Sequence, residues 1–402
     1  MAITNNQLPL SGLRVLEFTH AIFGPACGLV LADLGAEVIK IEKPDGDDTR
    51  RLKGFGTGYF TFFNRNKKSL AVDIKSVTGR AIVEKLLATA DVLIENFAPG
   101  TMERLGLGYE QLSTVYPRLI YCSLKGFLPG PYENRTALDE VVQMMSGLAY
   151  MTGPVGQPLR AGASVVDIMG GTYGALAVLV ALRERERTGR GQLVQSGLFE
   201  NAAYIMGQHM AYAAIAQQPV PPMPARVSAW AIYRVFKTVE GEQVFVGVTS
   251  DKHWQKFCEA FERSDLLADE TLATNNGRIA QRERLLPELE TFFAQLPKAE
   301  ILRRCERAAI PFAPIARPED LFEDAHLAAS GALFPTHLPN GETAPLPRQP
   351  FSLQSAELDL YAQPPQVGEH TAEILRELGY ENLAELQASG AISALKLDGE
   401  KL

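Results

Sequence analysis

A chain of 402 residues, 46% hydrophobic and 21% charged, is long enough to bury a large core and to form two domains. Its net charge of −8 argues against nucleic acid or an anionic membrane as the main partner, though it leaves room for a local basic pocket. Cys27, Cys122, Cys258 and Cys305 are scattered without a CxxC pair, and MAITNNQLPLSG carries no export signal, so a reducing cytoplasm is expected.

GLRVLEF (12–18) reads as a strand, GPACGLVLADLG (24–35) as a helix stopped by Gly35, and EVIKIEK (37–43) and KSLAVDI (68–74) as further strands. TGRAIVEKLLATA (78–90) is amphipathic, with Thr78 as the expected N-cap. DVLIENF (91–97) and LIYCSLKGF (119–127) complete a strand–helix alternation that implies right-handed crossovers and a mostly parallel sheet. Such a sheet is covered on both faces, so its strands are expected to be nearly all apolar. Beyond Leu138 come LDEVVQMMSGLAYMTG, an extended AGASVV, and a long helix opened by Asp167 and reaching about Arg187. The apolar run Ile168 to Leu182 is broken by Gly170, Gly171 and Gly174. It is shorter than the ~20 residues of a bilayer span and reads as a buried helix. Another helix follows near 197–216. The Pro-rich QQPVPPMPARVS (217–228) marks a boundary. A hairpin about Glu240-Gly241 and polar helices at 251–262, 277–296 and 298–309 form a smaller α+β unit, and after about 330 the chain ends in a helix near 370–390.

The loop after the first strand reads THAIFGPACG rather than GxGxxG, so the nicotinamide-dehydrogenase reading fails. Neither a P-loop nor GxSxG is present. His20, His209, His253, His326, His337 and His370 show no HxxxH or HExxH spacing, so no metal is expected. Asp167 stands out between Ala163-Ser164-Val165-Val166 and Ile168-Met169-Gly170-Gly171. As an N-cap it accepts backbone N–H bonds; as a nucleophile the same N–H groups would hold it ionised. Gly170 and Gly171 would let a bulky thioester approach. Lys43, Lys75 and Arg104 follow strands whose carboxyl ends share one rim, where they could converge on phosphates or simply be solvated.

These residues also carry a resemblance. LSGLRVLEFTH with GPACG, LGAEVIKIEKP, GDDTR, FFNRNKKSLAVDIK, DVLIENFAPG before Arg104, TGRGQ, AAIPFAPI and GEHT occur in the order found in class III CoA-transferases. The chain resembles that family over nearly its whole length, most of all its succinate–hydroxymethylglutarate branch. The resemblance implies an α/β fold, with a Rossmann-like parallel-sheet large domain (1–225 and 331–402) and an inserted smaller α+β domain (226–330). It also implies an interlocked homodimer. Asp167 matches the catalytic aspartate. Lys43, Val72, Lys75, Asn96, Phe97, Arg104 and Leu105 match coenzyme A contacts, and Ala21, Ile22 and Phe23 match the loop at the thioester end. Coenzyme A and its acyl thioesters are substrates, with no permanently bound cofactor.

The implied chemistry is attack of Asp167 on an acyl-CoA to give an aspartyl anhydride and then an aspartyl–CoA thioester. Two alternatives remain. A racemase of this fold needs a histidine in a GHD motif, where this chain has Ala137-Leu138-Asp139. A non-catalytic subunit would bind coenzyme A without chemistry. For substrate the expectation is succinyl-CoA and a short dicarboxylate, because Gln217 to Tyr233 lacks the glycine-rich lid of formyl-CoA transferase. A second carboxylate would need a cation, with Arg160, Arg226 and Arg234 as candidates; His20, Gly170 and Gly171 are further candidates for contact with substrate.

Overall fold

The computed structural model describes residues 8–226 and 228–394; the first seven residues, part of the stretch read as lacking an export signal, lie outside them. The chain divides into two compact units, one of residues up to Ala225 and from Ala325 onward, the other Arg226–Asp324. The break falls within the Pro-rich segment, and the return comes after Asp324.

In the larger unit, β1 (Arg14–Phe18), β2 (Glu37–Glu42), β3 (Lys67–Val72), β4 (Val92–Glu95), β5 (Ile120–Lys125) and β6 (Leu193–Gly197) pair in parallel in the order β3-β2-β1-β4-β5-β6. β6 immediately precedes the helix expected near 197–216 and was not foreseen; its LVQSG, partly exposed at the sheet edge, lacks an apolar signature. Ile392–Ser393 adds an antiparallel strand beside β3, so the C-terminal segment closes the other edge. The chain goes from β1 to β2 on one side and reaches β4 on the other. That reversal opens a crevice at the carboxyl ends of β1 and β4, where ligands bind in open α/β sheets.

Two helices carry the site. α1 (Phe23–Asp33) follows β1, and the 24-residue Val165–Thr188, here α4, packs along it. Between them in sequence come α2 (Val77–Leu87) and α3 (Asp139–Ser146). The cap of α2 is Ser76, whose hydroxyl accepts from Gly79 N–H, rather than Thr78. α4 begins at Val165, two residues before its expected opening, and Asp167 lies in its first turn rather than at the cap. Gly170 and Gly171 have a different role from the one expected. A Cβ on Gly170 would sit 2.8 Å from the Phe23 ring, and one on Gly171 2.7 Å from Ala26 Cβ. Their missing side chains seat α1 against α4 instead of admitting a thioester, and both lie inside the helix, away from its free N–H groups.

The strands are not all apolar. Glu17, Lys40, Glu42, Lys67, Ser69 and Glu95 are buried among them. Burying such charges demands partners, and the partners are present. Lys67 donates to Glu17 (2.8 Å), Pro25 O (2.9 Å) and Asn64 (3.1 Å). Lys40 lies 3.0 Å from Asp47 and 3.6 Å from Glu17, and Arg50 grips both Glu42 oxygens at 2.9 and 2.7 Å.

In the smaller unit, Ile232–Lys237 and Gln243–Val248 form the expected hairpin, with Phe312–Pro314 as a third antiparallel strand. Its core gathers Phe236, Trp254, Phe257, Phe261 and Phe293. The expected helix at 277–296 is split into Asn275–Ala280 and Arg282–Phe293.

Candidate active site

A cavity of about 730 Å³ opens at the carboxyl ends of β1, β4 and β5. Its walls include His20, Ala21, Ile22 and Phe23 after β1, Asn96 and Phe97 after β4, Arg135 and Leu138 before α3, and Arg160 and Asp167 at the start of α4. Sheet topology thus brings together residues far apart in sequence.

The loop after β1 is tightly pinned. The Asn96 side chain accepts from His20 N–H at 3.0 Å and donates to His20 O at 2.9 Å. The His20 ring stacks on Phe97 at 5.8 Å between centroids. Desolvation depresses the His20 pKa, which keeps the imidazole neutral near pH 7.

Asp167 owes its environment to Asp139. The Asp139 carboxylate is buried at the start of α3, and its Oδ2 accepts from the backbone N–H groups of Val166 (2.9 Å) and Asp167 (3.2 Å). A side chain distant in sequence thereby caps α4. Its Oδ1 accepts from Gln143 at 2.6 Å, and Gln143 in turn accepts from Ala161 N–H at 2.9 Å, which fixes the approach to α4. The helix N–H groups expected to hold Asp167 ionised are therefore already used. Burial, reinforced by the negative charge of Asp139 and only partly offset by Arg160, pushes the Asp167 carboxyl up to about 7. Cavity-lining carboxyls shifted in this way gather at functional sites, which makes Asp167 the candidate reacting group of this cavity.

The cations expected along this rim are absent from the cavity lining. Lys43 is 2.9 Å from Asp48 and 3.5 Å from Asp45, and the Arg104 guanidinium donates to Thr101; Lys43, Lys75 and Arg104 lie after the carboxyl ends of β2, β3 and β4 but line no part of this cavity. The Val72 side chain is in the core, with Leu105 packed against the same cluster, so Val72 offers a coenzyme only its backbone. Of the arginines proposed for a second carboxylate, Arg234 is paired with Glu290 in the smaller unit at 2.8 Å, and neither it nor Arg226 lines the cavity. Arg160 does line it, but lies 3.4 Å from Asp139 and donates to Ala161 O. Arg135 was missed. Its guanidinium lies over the rings of Tyr132 (5.0 Å) and Phe127 (5.9 Å). Within PYENRTALDE nothing distinguishes it from a surface arginine; only the fold brings it to Asp167's cavity. Among the described residues, no cluster of His, Cys, Asp and Glu is arranged to hold a metal.

Residues 10–371 match the family model for CoA-transferase family III. The chain belongs to this family. It is 34% identical over 388 residues to a succinate–glutarate CoA-transferase of Agrobacterium fabrum, covering 93% of this chain and 96% of that protein. It is 32% identical over 385 residues to the succinyl-CoA–L-malate CoA-transferase beta subunit of Chloroflexus aurantiacus, covering 93% and 95%. A crystal structure of a CAIB/BAIF family protein from Brucella suis superposes with a TM-score of 0.83 at 33% identity, covering 92% of this chain and all of that one. As a family III CoA-transferase, the chain uses CoA thioesters as substrates.

Proposed function

We propose that this CoA-transferase moves coenzyme A from succinyl-CoA to a short dicarboxylate such as glutarate, with Asp167 as the covalent nucleophile. The observation that carries the reading is Asp167 itself: a cavity-lining carboxyl at the crevice of the sheet, deprived of helix N–H donors and titrating near neutrality. The similarity to glutarate and malate transferases supports the substrate class.

An Asp167 carboxylate oxygen attacks the donor carbonyl, the C–S bond breaks, and coenzyme A leaves as thiolate. The thiolate attacks the Asp167 carbonyl of the mixed anhydride and expels the donor acid as carboxylate. The acceptor carboxylate then attacks the aspartyl thioester, freeing thiolate again. The thiolate takes the acyl group and restores Asp167 with one oxygen from the acceptor. Every step exchanges one acyl bond for another, so no ATP or net proton is consumed.

Arg135 supplies what a dicarboxylate requires. Among the described residues lining the cavity, Lys125 and Arg160 already meet carboxylates, at 2.7 Å (Glu95) and 3.4 Å (Asp139), whereas Arg135 rests on aromatic rings. A stacked guanidinium is held still and presents its fork to a second carboxylate. Competition from succinyl-CoA among glutarate, malate, oxalate, carnitine and a monocarboxylate of glutarate's length tests this. Preference for glutarate or malate, with Arg135→Gln raising the KM of those acids roughly tenfold and sparing the monocarboxylate, supports it. Preference for carnitine, oxalate or the monocarboxylate overturns it.

The racemase alternative is disfavoured by Leu138, which lines the cavity, is 66% exposed, and cannot carry a proton. The proposal includes a homodimer. α4 leaves Ile168, Tyr173, Leu176 and Val180 exposed, and Tyr204, Met210, Tyr212 and Ile215 continue the apolar exposure on the helices that follow. α4 is long and apolar enough to cross a membrane, but it packs on β5 and β6. Light scattering at micromolar concentration should give twice the chain mass; a monomer contradicts the dimer.

A further inference from the structure

The wall that the β1–α1 loop gives to Asp167's cavity contains an unusual backbone. Ala21 has φ of +59°, in the left-handed region that residues with a Cβ rarely adopt. A conformation of this kind persists only when its surroundings impose it. Three consecutive loop residues are held by three different parts of the fold. Lys40 of β2 donates to Thr19 O at 2.7 Å. Asn96, after β4, holds both backbone groups of His20. Ala21 N–H itself donates to the hydroxyl of Thr49 at 3.1 Å.

Thr49 is aimed by Asp47. The Thr49 hydroxyl donates to Asp47 Oδ1 at 2.7 Å, which commits its proton and leaves its lone pairs for Ala21. Asp47 Oδ1 also accepts from Thr49 N–H at 2.9 Å, and its Oδ2 faces Lys40 at 3.0 Å. Both Asp47 and Thr49 are buried, and neither lines the cavity. Directly after Ala21 come Ile22 and Phe23, which line the cavity and begin α1. The φ of Ala21 therefore sets the path of the chain along that wall.

We propose that Thr49, oriented by Asp47, is a positioning residue for CoA transfer: its hydroxyl holds Ala21 left-handed and so fixes the cavity wall formed by Ala21, Ile22 and Phe23. The inference rests on Asp167's cavity being the site of transfer. An Asp167→Asn control that still turns over removes that reading, whatever the Thr49 variants do.

The test uses the full-length enzyme and its best donor–acceptor pair, with kcat, coenzyme A affinity by calorimetry, and thermal unfolding measured together. Thr49→Val keeps the shape and removes the hydroxyl. It is expected to lower kcat roughly tenfold, with coenzyme A affinity and unfolding temperature nearly unchanged. Thr49→Ser, which restores the acceptor, is expected to keep kcat within about twofold of the unmodified enzyme. Glycine takes a left-handed φ without penalty, so Ala21→Gly combined with Thr49→Val is expected to regain most of the lost turnover. An unchanged kcat in Thr49→Val, a Thr49→Ser variant as slow as Thr49→Val, or a double variant slower than Thr49→Val overturns the proposal.

Discussion

Two buried regions at the same end of the sheet treat charge in opposite ways. Around β1–β3, Glu17, Glu42 and Asp47 each meet a cation, respectively Lys67, Arg50 and Lys40. Beside α4, Asp139 and Asp167 adjoin with only Arg160 for partial relief. In the first region, pairing outweighs burial at the centre: Asp47 is held below the usual carboxylate range, and Lys40 is raised by Glu17, Asp47 and Glu42 despite its desolvation. Lys67 is the exception, since burial and the like charge of Lys40 bring it down to about 8. In the second region Arg160 offsets burial only in part, and Asp167 moves up to about 7. Paired charge makes a scaffold, and a carboxyl left without partners is available for chemistry.

The comparison is broken most severely at Asp167. Asp167→Asn is expected to lower transfer by roughly 10⁴-fold or more, because the amide cannot form the anhydride. Initial rates on freshly purified protein, with deamidation excluded by mass, check this; near-normal rates would remove the nucleophile.

On the scaffold side, Glu17→Gln leaves Lys67 and Lys40 buried without their shared carboxylate. A stability loss of about 3–5 kcal/mol is expected, read as a fall in unfolding temperature. If unfolding is unaltered, the network is not the scaffold described.

The same Asp167→Asn change should act oppositely on stability. The folded-state pKa of Asp167, about 7, lies above the ordinary carboxyl value of 3.8. The folded state thus binds more protons between those values, and the group's contribution is present at low pH and lost as pH rises from about 4 through 7. At pH 8 the asparagine variant avoids this loss, so it should be more stable by on the order of 1–3 kcal/mol, with the gain vanishing near pH 4. Denaturant unfolding at both pH values measures it; an equal effect at both would contradict the assigned titration.

The smallest effect sharpens the cause. The kcat/KM of the unmodified enzyme should rise with pH through about 7 and then level, because only the ionised form attacks. Asp139→Asn removes a like charge yet retains an oxygen for the Val166 N–H, so the rise should move to lower pH. A shift to higher pH would mean that Asp139 stabilises the carboxylate.

Much of this was legible beforehand, for definite reasons. Strands such as EVIKIEK are continuous enough in β-branched residues to show through their buried charges, and Asp167 was recognisable from its place before a glycine-interrupted helix. The burial of Lys40 and Lys67 could not be read, because alternating charge in a strand ordinarily signals a solvated face. The cap of α4 was misassigned because Asp139 reaches Val166 and Asp167 from 27 and 28 positions away, through space rather than along the chain. Gly170 and Gly171 signalled a close approach, but helix packing and ligand access leave the same mark in a sequence. Arg135 carries no local signature, and GDDTR marks Thr49 without revealing its partner; only topology brings the one to Asp167's cavity and the other to Ala21.

The path of an oxygen atom tests the central claim most directly. Turnover with an acceptor acid labelled with heavy oxygen in its carboxylates should leave label in the carboxyl of Asp167, detectable by mass spectrometry of the peptide containing it. Label at Asp167 that requires both acceptor and donor is the predicted result. Sustained turnover with an unlabelled Asp167 would contradict covalent transfer through this residue.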